Sequence, residues 1–451
     1  MADETVETFE VTEEGAAAFG ALAEAFGAPE FVVGIPHRMP DETWDFDGGK
    51  AWVFRVPGNE TLTKPVIIAD GFSGGESKLD QWDALWEQAG IITRVHPWGT
   101  QLHELGRDVI VLGYDSRCAS ILSNAEVAIK CIRRAIDERT GDTPLVVGGL
   151  SMGGLVTRYA LAKMEKDEKE NGGPDHETAV YFSYDSPHRG AWIPISLQVF
   201  AHFLKALGDQ IGNEELGDLS NLINSPAARE LLWKHTATHT GLDGVGKPFP
   251  ADAARTDFVD ALEALGSFPT KPEKLLGVAN GRGDGEGLVG ELGDPLEPGV
   301  KNLDWPITPG TLIPPKAASP GAALYTQASS TDEAPHPLVA ELHRAASLGT
   351  ITVKTSGIPA LDGAPGGTLN SFALAAGALK ANGFNASVVY GDVCFVPVAS
   401  AVDLADPSNP FAPVNGMDAA ASGLTEFKVA SQNEGHTLIT KELCDWLTER
   451  F

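Results

Sequence analysis

Apolar residues in this chain gather in short continuous runs separated by longer amphipathic stretches. Val66-Ile-Ile-Ala-Asp, Arg107-Asp-Val-Ile-Val-Leu-Gly-Tyr, Leu145-Val-Val-Gly-Gly-Leu and Thr178-Ala-Val-Tyr-Phe-Ser-Tyr-Asp185 each read as a strand buried on both faces. Between them lie helical patterns: Leu79, Trp82, Leu85 and Trp86 at helical spacing, then Ala125 to Arg139, then the segment from Leu155 to Met164. Strands alternating with helices predict a parallel sheet covered on both sides. Two runs nearer the N-terminus, Phe31-Val-Val-Gly and Ala51-Trp-Val-Phe-Arg-Val, suit edge strands.

After Asp185 this rhythm breaks. Residues 191–265 are rich in helix formers with an apolar stripe through Ile195, Leu197, Val199, Phe200, Phe203, Leu204 and Leu207, and residues 283–320 are dense in Gly and Pro and read as loops. Short strand-like runs follow at Ala323-Leu-Tyr-Thr-Gln and Thr350-Ile-Thr-Val-Lys-Thr, with a turn cluster at Asp362-Gly-Ala-Pro-Gly-Gly. The sheet resumes near Leu275-Leu-Gly-Val-Ala or Ser387-Val-Val-Tyr, then at Phe427-Lys-Val-Ala, before a closing helix from Thr440. The expected organisation is a core of residues 1–190 and 386–451, with 191–385 a cap or set of insertions holding a core strand near 274–280.

Composition narrows the partners. The net charge is −29, which argues against nucleic acid or an anionic membrane surface. No run of about 18 apolar residues suggests a membrane span. The acidic start Met1-Ala-Asp-Glu lacks the basic and apolar regions of a signal peptide, which makes the expected location cytoplasmic, with an exported mature form the alternative. Cys118, Cys131, Cys394 and Cys444 are widely spaced and suit free thiols. No cofactor or metal is expected, because no His/Cys/Asp cluster has ligand spacing and the Gly-Asp-rich run 281–290 lacks that of a calcium loop.

The candidate chemistry begins at Ser151. Gly149 and Gly153 flank it at G-x-S-x-G spacing, after an apolar strand and before a helix. That spacing suits a strained turn that exposes a serine hydroxyl and aims a helix N-terminus beside it. A serine needs a base, and His436 lies after the last predicted strand and before the closing helix. His188, in Asp185-Ser-Pro-His-Arg-Gly, reads as a residue that supports the site or anchors the insertion. The backbone N–H groups of Met152 and of Phe72, in Asp70-Gly-Phe-Ser-Gly-Gly, are the candidate donors for an oxyanion.

These segments resemble the α/β-hydrolase superfamily. The stretches Asp70-Gly-Phe-Ser-Gly-Gly, Gly149-Leu-Ser-Met-Gly-Gly-Leu-Val-Thr-Arg-Tyr, Ser186-Pro-His-Arg-Gly and Cys394-Phe-Val-Pro-Val-Ala-Ser-Ala are similar to motifs of bacterial lipases and lecithin–cholesterol acyltransferase-like enzymes. The resemblance implies an α/β-hydrolase fold with a mostly parallel central sheet and a large cap, and ester hydrolysis through an acyl-enzyme on Ser151. The substrate would be a small-molecule ester or lipid with a hydrophobic acyl chain. Acyl transfer, thioester hydrolysis and a non-catalytic binding role are the alternatives. The sequence departs from the family in two places. Asp70 stands where a histidine is usual, and Val393 stands where the acid would fall. Asp185 at a strand end is therefore the preferred acid, ahead of Asp392 and Asp284, because a triad acid must be held rigidly. Phe72, Trp192, Ile193, Phe200 and Phe203 are candidate linings of an acyl pocket.

Overall fold

The predicted runs become strands because their side chains are apolar on both faces, which suits the middle of a sheet covered on two sides. The computed structural model describes residues 38–86, 95–236, 251–290, 292–307, 320–331, 336–343, 350–404 and 409–451. Its first seven strands are β1 (Glu42–Phe46), β2 (Gly49–Phe54), β3 (Pro65–Ala69), β4 (Asp108–Tyr114), β5 (Leu145–Leu150), β6 (Thr178–Tyr184) and β7 (Lys274–Arg282). Then come β8 (Lys301–Trp305), β9 (Gly321–Tyr325), β10 (Leu338–His343), β11 (Thr350–Lys354), β12 (Gly366–Leu369), β13 (Ser387–Val388), β14 (Val393–Pro397) and β15 (Glu426–Ala430).

The central sheet has the order β1-β2-β4-β3-β5-β6-β7-β15. β1 and β2 pair antiparallel, as do β2 and β4, whereas every pairing from β4 through β15 is parallel. Side chains alternate across it: Ile67, Ile110 and Val147 join one buried cluster, and Val66, Ile68 and Val111 the other. Helices α1 (Ile121–Glu138) and α2 (Met152–Asn171) cover the first face. Helix α4 (Lys441–Thr448, after α3 described below) and the segment around Trp82 and Trp98 cover the second.

Several expectations change. The run Ala51–Phe54 lies in β2, second from the edge rather than at it, because β1 shields it; the Phe31 run lies outside the described residues. Leu79–Leu85 is a 3₁₀ helix. The 283–320 stretch contains a strand, β8, and of the two rival segments Lys274–Arg282 enters the central sheet, while Ser387–Val388 pairs with β8. The chain thus leaves the sheet after β6, returns for β7, and leaves again to build a second, antiparallel sheet of order β11-β10-β9-β8-β13.

The apolar stripe after Asp185 forms α3 (Ile195–Ile211). Phe200 and Phe203 meet the Trp305 ring edge-on, each with centroids 6.5 Å apart. Together with Trp192 and Ile193 they are buried in the core. Their stripe is the seam between helix and inserted sheet. All four cysteines are free thiols.

Candidate active site

β5 ends at Leu150, and the chain reverses into α2 through Ser151, whose φ of 52° and ψ of −123° lie outside the ordinary regions for a non-glycine residue. The turn is tight because strand and helix are nearly in contact. A Cβ on Gly153 would come 2.2 Å from the carbonyl oxygen of Ala69, so the G-x-S-x-G glycines are steric requirements of the bend. The Ser151 N–H donates to the Tyr184 carbonyl at 2.8 Å, which ties the turn to β6.

The hydroxyl so presented meets an imidazole. His436 Nε2 lies 2.7 Å from Ser151 Oγ, and His436 Nδ1 lies 2.7 Å from Asp185 Oδ2. The three residues are 3%, 4% and 0% exposed, so their contacts are little screened by water. Asp185 follows β6 directly, with a φ of 48°. Its other oxygen accepts the Asn280 N–H at 3.0 Å, and its own N–H donates to the Val278 carbonyl at 2.7 Å. β7 therefore orients the carboxylate. Asp392 and Asp284 are exposed, and Asp284 pairs with Arg282. Neither stands by the ring.

Sequence reasoning missed the residues that hold the imidazole. The His436 N–H donates to the Thr368 carbonyl at 2.8 Å, and its ring meets Phe395 edge-on with centroids 4.8 Å apart. Thr368 lies on β12 and Phe395 on β14, the antiparallel pair that begins at Val393. Val393, at the start of β14, is buried in the core, and the ring contact comes from Phe395 two residues on. Gly367 lets β12 run close past the pair, since a Cβ there would fall 2.0 Å from Asp185 Oδ2.

His188 is engaged elsewhere. Arg158 donates to its Nδ1 at 3.1 Å, which leaves Nε2 to donate to Ser183 Oγ at 2.9 Å. Burial, then the charges of Arg158, Arg189 and Arg255, hold its pKa well below the usual histidine value, so it is neutral. Its carbonyl accepts from Arg255, which fastens the segment after β6 to the helix Ala253–Glu263.

Ser151 borders a cavity walled by Trp82, Leu85, Val95, Leu438 and Ile439, with Asp70, Gly71 and Arg117 as further lining residues. Trp192, Ile193, Phe200 and Phe203 are not in this wall. The helix that carries Phe200 and Phe203 packs against β9 and β10, so this stripe at helical spacing is core rather than pocket wall. Gly71 and Ser151 border the cavity, and Phe72 and Met152 are each one residue behind, both buried. Among the described residues no group of three His, Cys, Asp or Glu side chains could hold a metal ion, and no helix is long and apolar enough to cross a membrane.

The strand order, a serine turn after β5 and an imidazole after the last strand together fix the architecture. This is an α/β-hydrolase fold. Several solved structures similar to this chain are named as esterases or lipases. The mature lipase BlEst2 of Bacillus licheniformis matches with a TM-score of 0.32 and 12% identity, over 54% of this chain and 74% of that one. Brefeldin A esterase, described as a bacterial homologue of human hormone sensitive lipase, gives 0.28 and 14% over 59% and 77%. Est1E from Butyrivibrio proteoclasticus gives 0.23 and 19% over 32% of this chain and half of that one. No protein-family model matches the sequence, and no curated protein matches it.

Proposed function

We propose that this chain is a serine hydrolase that cleaves carboxylic esters through an acyl-enzyme on Ser151. The observation that carries the proposal is the unbroken contact chain from Ser151 Oγ through the His436 ring to the Asp185 carboxylate, 2.7 Å at each step. In that arrangement His436 Nε2 takes the serine proton as Oγ attacks the ester carbonyl. The same nitrogen then returns the proton to the departing alcohol, and the sequence repeats with water to release the acid. Asp185 holds the ring in the tautomer that keeps Nε2 free to act as base.

The oxyanion that forms needs two donors. Met152 is the first residue of α2, where an N–H has no intrahelical acceptor. The Gly71 N–H is already taken by Asp70 Oδ1 at 2.7 Å, which leaves the next one, Phe72, as the second donor. The apolar wall formed by Trp82, Leu85, Val95, Leu438 and Ile439 suits a hydrophobic acyl chain.

Ser151→Ala tests the reading. Turnover of p-nitrophenyl esters falls by roughly 10⁴-fold or more, and labelling by a fluorophosphonate probe is lost, with the circular dichroism spectrum unchanged. Retained turnover or labelling in that variant overturns it.

A further inference from the structure

The cavity beside Ser151 holds one feature the hydrolytic reading leaves unused: a buried acid and a buried arginine side by side. Asp70 and Arg117 both line it and are 6% and 4% exposed. Asp70 Oδ1 accepts the Gly71 N–H, and Oδ2 accepts the Ser77 hydroxyl at 2.6 Å. The Tyr114 N–H donates to Ser77 Oγ at 2.9 Å, which turns the hydroxyl hydrogen toward Asp70. Both carboxylate oxygens are therefore acceptors, the pattern of an ionised group. Burial outweighs the opposing effects of Arg117 and the two hydrogen bonds and leaves its pKa raised.

Arg117 is used sparingly. Its Nη2 donates to the Gly74 carbonyl at 3.0 Å, Nη1 reaches Asp70 Oδ2 only at 3.9 Å, and Nε has no partner among the described residues. A guanidinium offers five N–H donors, so this one has donors left for a further acceptor. Arg117 would by itself make the cavity a carboxylate site. Asp70, held in place by Gly71 and Ser77, cancels that charge.

We infer that the Asp70–Arg117 pair determines substrate charge, keeping a cavity that contains an arginine selective for uncharged esters. The inference rests on the hydrolase reading above and deepens it. Charges this well buried are weakly screened, so removing either partner leaves a net charge that a substrate would meet directly.

The test compares two esters of equal acyl length, p-nitrophenyl valerate and the p-nitrophenyl monoester of glutaric acid, whose chain ends in a carboxylate. The measured quantity is the ratio of their kcat/KM values. The wild type favours valerate. Asp70→Asn frees the charge of Arg117 and moves the ratio about tenfold toward the glutarate ester. Arg117→Gln leaves Asp70 uncompensated and moves it about tenfold the other way. Arg117→Lys keeps the charge and stays near the wild-type ratio. A general loosening of the turn would lower both rates without splitting the ratio in opposite senses. If one variant fails to fold, the sign from the other decides. A wild type that prefers the glutarate ester, a shift in the wrong sense, or ratios all within about threefold of wild type overturns the inference. Absence of turnover of either ester, together with no fluorophosphonate labelling of Ser151, overturns the hydrolase reading as well, which separates the two failures.

Discussion

At the scale of single residues, the site depends on backbone approaches that leave no room for a side chain. Gly367 is the sharpest case: an added Cβ would lie 2.0 Å from Asp185 Oδ2, 3.0 Å from its Cγ and 3.2 Å from His436 Cα. The atoms in the way belong to the proposed triad itself, and the easiest one to displace is the carboxylate oxygen that faces the ring. Gly367→Ala therefore shifts Asp185 away from His436 while leaving the central sheet intact. A misplacement of about 1 Å at such a contact costs roughly 100-fold in rate. The expected result is a fall of that size in kcat with little change in KM, measured beside a thermal melt that stays cooperative. Unchanged kcat would mean that β12 can move aside without disturbing the acid.

At the scale of elements, the far end of α2 is fastened by one carboxylate. Glu165 accepts from the N–H groups of Thr270 and Lys271 at 2.8 and 2.9 Å, from the Thr270 hydroxyl at 2.7 Å, and from His176 Nε2 at 3.1 Å. His176 Nδ1 accepts the Thr178 N–H, so its Nε2 carries the hydrogen. This knot joins α2 to the segments leading into β6 and β7, and so fixes the two strands whose ends orient the acid. Burial pushes the Glu165 pKa up, but these hydrogen bonds, led by His176, bring it down to about 2 from an ordinary 4.5. A depressed pKa gives stability that is present above the unfolded value and lost as pH falls toward the folded one. Glu165→Gln should therefore cost roughly 1–2 kcal/mol at neutral pH in urea unfolding, with the gap to wild type closing between about pH 4.5 and 2. A gap that is constant across that range would remove the titration argument.

Elements also show what could be read from sequence. The buried strands β3, β4, β5 and β6 are legible because runs that are apolar on both faces have few alternatives. Leu79, Trp82 and Leu85 are ambiguous, since three-residue spacing aligns side chains on a 3₁₀ helix as well as on an α-helix. β8 is hidden in a Gly- and Pro-rich stretch because a one-sided antiparallel strand shows its pattern only against a partner. Ser151 and His436 follow from local context and chain order. Asp185 follows less directly: its place at a strand end favours it over Asp392 and Asp284, but the ring it meets lies 251 positions away and the contact is made only in the fold. Asn280, Thr368, Gly367 and Phe395 carry no sequence signal of their own. They matter through contacts made by strands distant in the chain.

At the scale of the whole molecule, three segments outside the central sheet are tied together through a buried carboxylate. Asp362 accepts the Trp192 indole N–H at 2.7 Å and the Gln327 N–H at 2.8 Å, linking the approach to α3, the segment after β9 and the turn before β12. It is fully buried, and two hydrogen bonds do not offset the loss of water, so its pKa rises from 3.8 to about 6. A raised acid pKa has the opposite sign to that of Glu165: its stability is fully present below the unfolded value and is lost as pH rises through the folded one. Above about pH 6 the joint holds a buried anion, at a cost on the order of 3 kcal/mol relative to pH 4. Asp362→Asn cannot ionise. Whatever constant offset that variant carries from the altered contact with Gln327, its stability relative to wild type should climb by about that amount between pH 4 and 7 and then level off. Unfolding by urea across that range reads the difference directly, and parallel curves for the two proteins would show that Asp362 does not change charge there. Because the same turn continues into β12, which passes Asp185 and His436, the ionisation that loosens the joint also acts on the strand that holds the ring.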